Sequence, residues 1–69
     1  MENDPFRIAC VGAGFFAQLH HAAWRAAAGA ELAGIADPNS DSRVPDGVPL
    51  FDGIEAMLAA GPVDILDII

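Results

Sequence analysis

Gly12-Ala13-Gly14-Phe15-Phe16-Ala17 has the form G-x-G-x-x-A. That spacing of small residues suits one task, the approach of a pyrophosphate to main-chain amides. Gly12 permits a tight turn, Gly14 has no Cβ to obstruct the phosphates, and Ala17 keeps a following helix close to its sheet. A helix opening at Phe15 would aim its first N–H groups and its partial positive charge at the anion. Gly12, Gly14, Phe15, Phe16 and Ala17 are therefore the candidate phosphate-binding residues. Asp37 is the second element of the pattern, lying somewhat beyond the usual spacing of about 20 residues for a ribose-binding carboxylate. A carboxylate there accepts both hydroxyls of the adenosine ribose and repels a 2′-phosphate, which favours NAD over NADP. Arg43 is near enough in sequence to contact the ribose or a 2′-phosphate, which leaves NADP open.

These residues need particular elements to position them. Phe6 to Val11 (FRIACV) is a short apolar run bounded by Pro5 and Gly12, suited to a buried parallel strand. From Phe15 the chain reads as an alanine-rich helix, with Phe16, Leu19, Ala23 and Ala26 or Ala27 spaced to share a face and Gly29 as its stop. Glu31 to Ala36 is a second strand, weakened by Gly34, and Asp37-Pro38-Asn39-Ser40 turns out of it. Asp41 to Pro49 reads as loop, with Leu50 and Phe51 a short extended piece. Asp52-Gly53-Ile54-Glu55 has the acceptor-x-x-Glu form of a capping box, with Phe51 and Ala56 placed for a hydrophobic staple. The helix it predicts, about Gly53 to Ala60, stops at Gly61-Pro62, and Val63 to Ile69 is a third strand. Strands alternating with helices mean an α/β fold with a parallel sheet. The expectation is a partial Rossmann fold, three parallel strands and two helices in the order βαβαβ.

Composition narrows the partners. The net charge is −7, and Arg7, Arg25 and Arg43 supply all three strong cations. A nucleic-acid backbone or an anionic membrane would be repelled, whereas a pyrophosphate held by backbone amides needs no lysine. No apolar run approaches the roughly 20 residues of a membrane helix. The acidic start MENDPF carries no basic signal region, and the lone Cys10 can form no internal disulfide, which fits a reducing cytoplasm. A hydrophobic content of 54 % is high for so small a chain and suggests a slice of a larger domain. Cys10, within an apolar strand, reads as buried and inert. His20 and His21 point about 100° apart on a helix, a poor arrangement for chelating one metal, so both read as structural. Trp24 reads as packing, and Arg25 as solvated. Asp64 and Asp67 fall on opposite faces of the last strand. Asp67 needs a partner if buried, and no partner is legible.

The segments GAGFFAQLHHAAW and ELAGIADPN, with Phe51-Asp52, Glu55 to Leu58 and Val63 to Ile69, resemble the N-terminus of the Gfo/Idh/MocA oxidoreductases, the glucose–fructose oxidoreductase and inositol dehydrogenase family. His20 matches the histidine that recurs after the family's glycine turn. The resemblance covers about Arg7 to Ile69. It implies NAD(P)-dependent oxidation or reduction of a sugar, cyclitol or related hydroxyl–carbonyl pair, in a parent protein that is homo-oligomeric. The family's catalytic lysine belongs to a Glu-Lys-Pro motif, and this sequence contains no lysine. Residues 1–69 are thus expected to be the N-terminal part of an NAD(P)-binding domain without its catalytic and substrate-binding parts, inactive alone. A non-catalytic NAD(P)-binding sensor, or a flavin or S-adenosylmethionine protein of the same fold, are the alternatives.

Overall fold

The computed structural model describes residues 4–39, 41 and 43–69. Its elements are β1 (Phe6–Val11), α1 (Phe15–Ala26), β2 (Ala30–Ala36), β3 (Leu50–Phe51), α2 (Ile54–Ala59) and β4 (Ile65–Ile68). All the strands are parallel, in the order β3-β2-β1-β4. The sheet therefore has four strands where the sequence suggested three. The addition is Leu50–Phe51, too short for any periodicity to reveal. It pairs with the end of β2, and its ladder is continued by Ile35 N–H to the Pro49 carbonyl (3.1 Å) and Asp37 N–H to the Phe51 carbonyl (2.8 Å).

β1 lies inside the sheet and is covered on both faces, which explains its unbroken apolar run. Ile8, Ala9 and Cys10 are all fully buried. One face packs Ile8, Cys10, Leu32 and Ile35 with Trp24 of α1 and with Val44 and Val48 of the 41–49 loop. The other packs Ala9 and Ala36 with Met57 of α2, Phe51 and Val63. Gly34 is required by this second layer. A Cβ there would come within 3.0 Å of the Phe51 ring and 3.3 Å of Met57 Cγ. The glycine that lowered the strand propensity of β2 is what lets α2 and β3 close on the sheet.

Three local expectations are corrected. The inward face of α1 is Ala17 and His21, with Trp24 half-buried, whereas Phe16 and Leu19 are 64 % and 58 % exposed. Both sets obey helical spacing. The approach of the helix to the sheet at Gly12 decides between them, because only a side chain as small as Ala17 fits there. The Asp52–Glu55 capping box does not form. Gly53 occupies the N-cap of α2 without a side-chain bond, and the helix begins at Ile54. Tertiary packing overrides the local signal: Met57 is inserted into the core at 3 % exposure, with Phe51 beside it. The staple fails for the same reason, since Phe51 turns to Ala36 and Met57 while Ala56 is exposed. Third, α1 stops at Ala26, and Gly29, at φ 79°, makes the left-handed bend that leads into β2.

Candidate functional site

The chain order reverses across β1. β2 lies on one side of it and β4 on the other, so the crevice at the carboxyl ends of β1 and β4 is a topological switch point, where ligands of open α/β sheets bind. The G-x-G-x-x-A turn stands at that crevice. Gly12 has φ 115°, a conformation open to glycine and strained for other residues, and its N–H donates to the Ala36 carbonyl at 2.8 Å. Gly14 is the N-cap of α1 and gives the helix no side-chain cap. The first helical bond runs from Gln18 N–H to the Gly14 carbonyl, so the amides of Phe15, Phe16 and Ala17 precede it in the uncapped first turn. A Cβ built on Gly14 would meet nothing within 4 Å. The space in front of the helix N-terminus is open, and a side chain would intrude on it. Ala17 is 3 % exposed against the sheet. These features fit a pyrophosphate.

Asp37 follows β2 at the same edge. Its Oδ2 accepts the Ala13 N–H at 2.9 Å, and its Oδ1 accepts the Asn39 N–H at 2.9 Å. The carboxylate is thereby braced against the glycine turn. It shares a small cleft with Pro38, Leu50, Phe51 and Asp52. Asp52, read from sequence as a helix cap, lines the same cleft. Arg43 is elsewhere. It lines a separate cleft along the flank of α1, together with His21 and Arg25.

Residues 6–69 match the family described as an oxidoreductase family with an NAD-binding Rossmann fold, Gfo/Idh/MocA. The chain belongs to this family. No curated protein and no solved structure matches it. The Gfo/Idh/MocA assignment agrees with the parallel sheet, its crossover helices and the switch point.

The Gfo/Idh/MocA domain also resolves the question of Asp67. Its Oδ2 accepts the Trp24 indole N–H at 2.9 Å and lies 2.9 Å from His20 Nδ1. These contacts tie α1 to β4, behind the turn. The bond from Trp24, and then that from His20, holds the Asp67 carboxyl below its ordinary pKa of 3.8. His20 is therefore part of a clamp. The neighbouring His21 is the one that touches the turn, with Nε2 3.0 Å from the Gly12 carbonyl oxygen and only 1 % of the residue exposed. The two imidazoles serve different partners, as their divergence on the helix implied. Among the described residues no group of three metal-binding side chains occurs. Burial, reinforced by the Asp67 charge, raises the Cys10 thiol to about 11 and leaves it protonated. At the far end of the sheet Arg7 donates to the Pro62 carbonyl and pairs with Glu31. No helix is long and apolar enough to cross a membrane among the described residues.

Proposed function

We propose that this domain holds NAD with its pyrophosphate over Gly12, Gly14, Phe15, Phe16 and Ala17 and its adenosine ribose on Asp37. Bound NAD supplies hydride acceptance or donation. The chain's own residues bind and orient. The amides of the first turn of α1 meet the phosphates, and the Asp37 carboxylate, kept in place by the Ala13 N–H, accepts the ribose hydroxyls. The observation that carries the reading is the uncapped, unobstructed N-terminus of α1 at the switch point, with the Asp37 carboxylate bonded to the turn itself. The Asp37 carboxylate at the turn, with Asp52 lining the same cleft and Arg43 in another, favours NAD over NADP.

In this reading residues 1–69 are the cofactor-holding part of a cytoplasmic, homo-oligomeric oxidoreductase that acts on a sugar, cyclitol or related hydroxyl–carbonyl pair. With no lysine in the sequence, the chain alone binds cofactor and turns over nothing. Calorimetric titration with NAD, NADP and S-adenosylmethionine tests the proposal. NAD binds most tightly, and Asp37→Ala weakens NAD more than NADP. Equal affinity for NAD and NADP, unchanged by Asp37→Ala, would remove the ribose assignment. Binding of S-adenosylmethionine alone would remove the cofactor assignment.

A further inference from the structure

One peptide group in the glycine turn is held from both ends. The Gly12 carbonyl oxygen lies 3.0 Å from His21 Nε2. The N–H of the same peptide, that of Ala13, donates to Asp37 Oδ2 at 2.9 Å. A trans peptide is planar, with its C=O and N–H pointing to opposite sides. His21 of α1 and the carboxylate that follows β2 therefore hold opposite ends of one rigid unit.

Gly12 is the reason that unit needs holding. Its φ of 115° is reached because it has no Cβ, and the same freedom lets the peptide after it rotate at little steric cost. The bond from Gly12 N–H to the Ala36 carbonyl fixes the peptide before Gly12, not the one after it. Rotation of the Gly12–Ala13 unit would withdraw the Ala13 N–H from Asp37 and bring a carbonyl oxygen round toward the carboxylate. A donor on the Gly12 carbonyl opposes that rotation.

The burial of His21 points the same way. Among the described residues it is the only polar side chain that is fully buried, at 1 % exposure. Its Nδ1 is buried with no hydrogen-bond partner among them. An apolar side chain of similar size would fill the volume without leaving a nitrogen unsatisfied. What the imidazole adds here is the N–H at Nε2, since a carbonyl oxygen can only accept. Ala17, one helical turn earlier on the same buried face, permits the reach. Its Cβ is 4.0 Å from where a Gly12 Cβ would stand, so α1 passes close behind the turn.

We propose that His21 is a positioning residue of the ribose site. By donating to the Gly12 carbonyl it sets the orientation of the Gly12–Ala13 peptide. Through the Ala13 N–H it keeps the Asp37 carboxylate turned to accept the ribose hydroxyls, a role that rests on the NAD reading above. It acts through the backbone of the turn and requires no contact with the cofactor.

The test starts with the full chain without nucleotide. The nitrogen resonances of the His21 ring report which nitrogen carries the proton, and Nε2 is expected to carry it. Hydrogen exchange at the Ala13 amide reports its bond to Asp37. His21→Leu fills the volume without a donor and should speed that exchange about tenfold relative to the amides of Ala9 and Cys10, which read opening of the whole sheet. His21→Gln, whose side-chain amide can place an N–H near the Nε2 position, should restore most of the protection. Calorimetric titration then reads the consequence. His21→Leu weakens NAD about tenfold and NADP less, and in an Asp37→Ala background it changes NAD affinity less than about twofold. A merely structural role would weaken both nucleotides alike and would add to the effect of Asp37→Ala. Three results would overturn the proposal: a ring protonated at Nδ1 and not at Nε2, Ala13 exchange that rises no more than that of Ala9 and Cys10, or equal losses for NAD and NADP. The ring resonances need no variant, so a His21→Leu chain that does not fold still leaves the proposal open to refutation. A selective change at Ala13 in a chain that binds neither nucleotide would remove the NAD reading and keep the link from His21 to Asp37. NAD binding with no selective change at Ala13 would do the reverse.

Discussion

Gly12 and Gly14 stand two residues apart in one motif, yet replacing each with alanine should fail in a different way. Gly12 has φ 115°, and its added Cβ would meet Ile69 at 3.6 Å, an ordinary contact. The cost of Gly12→Ala is therefore backbone strain, about 1–3 kcal/mol. For a domain of this size each kcal/mol lowers the melting temperature by roughly 4–8 °C. Gly14 has φ −73° and ψ −174°, which alanine adopts freely, and nothing lies within 4 Å of its Cβ position. Alanine is a poorer N-cap than glycine but narrows the unfolded ensemble. The two effects oppose each other, and stability should move by no more than about 0.5 kcal/mol. That same Cβ projects into the space assigned to the pyrophosphate. Pushing the phosphates off the helix amides removes charge-assisted hydrogen bonds worth about 1.5–3 kcal/mol, or roughly ten- to a hundredfold in NAD affinity. Urea unfolding, read by the single tryptophan Trp24, and calorimetric NAD titration measure the two quantities separately. A folded Gly14→Ala protein that binds NAD as tightly as the parent would refute the phosphate assignment. A Gly12→Ala protein of unaltered stability would refute the strain argument.

Asp37→Asn keeps an acceptor for the Ala13 N–H but weakens the grip on the ribose, so NAD affinity falls while the preference over NADP narrows, as competition titrations will show. Because the Asp67 pKa is lower folded than unfolded, its stabilisation is complete above about pH 4 and is lost as pH falls through the lower folded value. Asp67→Asn should flatten that acid limb of the urea midpoint and alter Trp24 emission, since the indole loses its charged acceptor. Cys10, buried with its thiol raised to about 11, should resist alkylation in the native protein at neutral pH and react only as urea unfolds it, a difference mass spectrometry resolves. Gly34→Ala should destabilise by about 1–3 kcal/mol through overpacking against Phe51 and Met57. The smaller Met57→Ala should relieve part of that cost in a double-mutant comparison, because Met57 provides two of the three closest contacts.

Local chemistry made much of this molecule legible in its residues. The span Phe6–Val11 came out as predicted because a strand covered on both faces must be apolar throughout, and its ends are marked by Pro5 and Gly12. The turn could be read because Gly12 answers a demand of its own backbone, a positive φ, and Gly14 leaves open the space before the helix. Other features depend on partners distant in the chain. Helical spacing showed that Phe16 and Leu19 share a face, but the seating of Ala17 on the sheet turned that face outward. The Asp52 capping signal was sound locally and lost to the burial of Met57. Asp67 acquired its meaning only when β4 came alongside β1 and met Trp24 and His20 of α1. Likewise Arg25 and Arg43 came to line one cleft only when the 43–45 segment folded against α1. A residue's type and spacing encode what its own backbone can do, whereas which side chains face one another is settled by packing between elements, and one-dimensional order does not contain it.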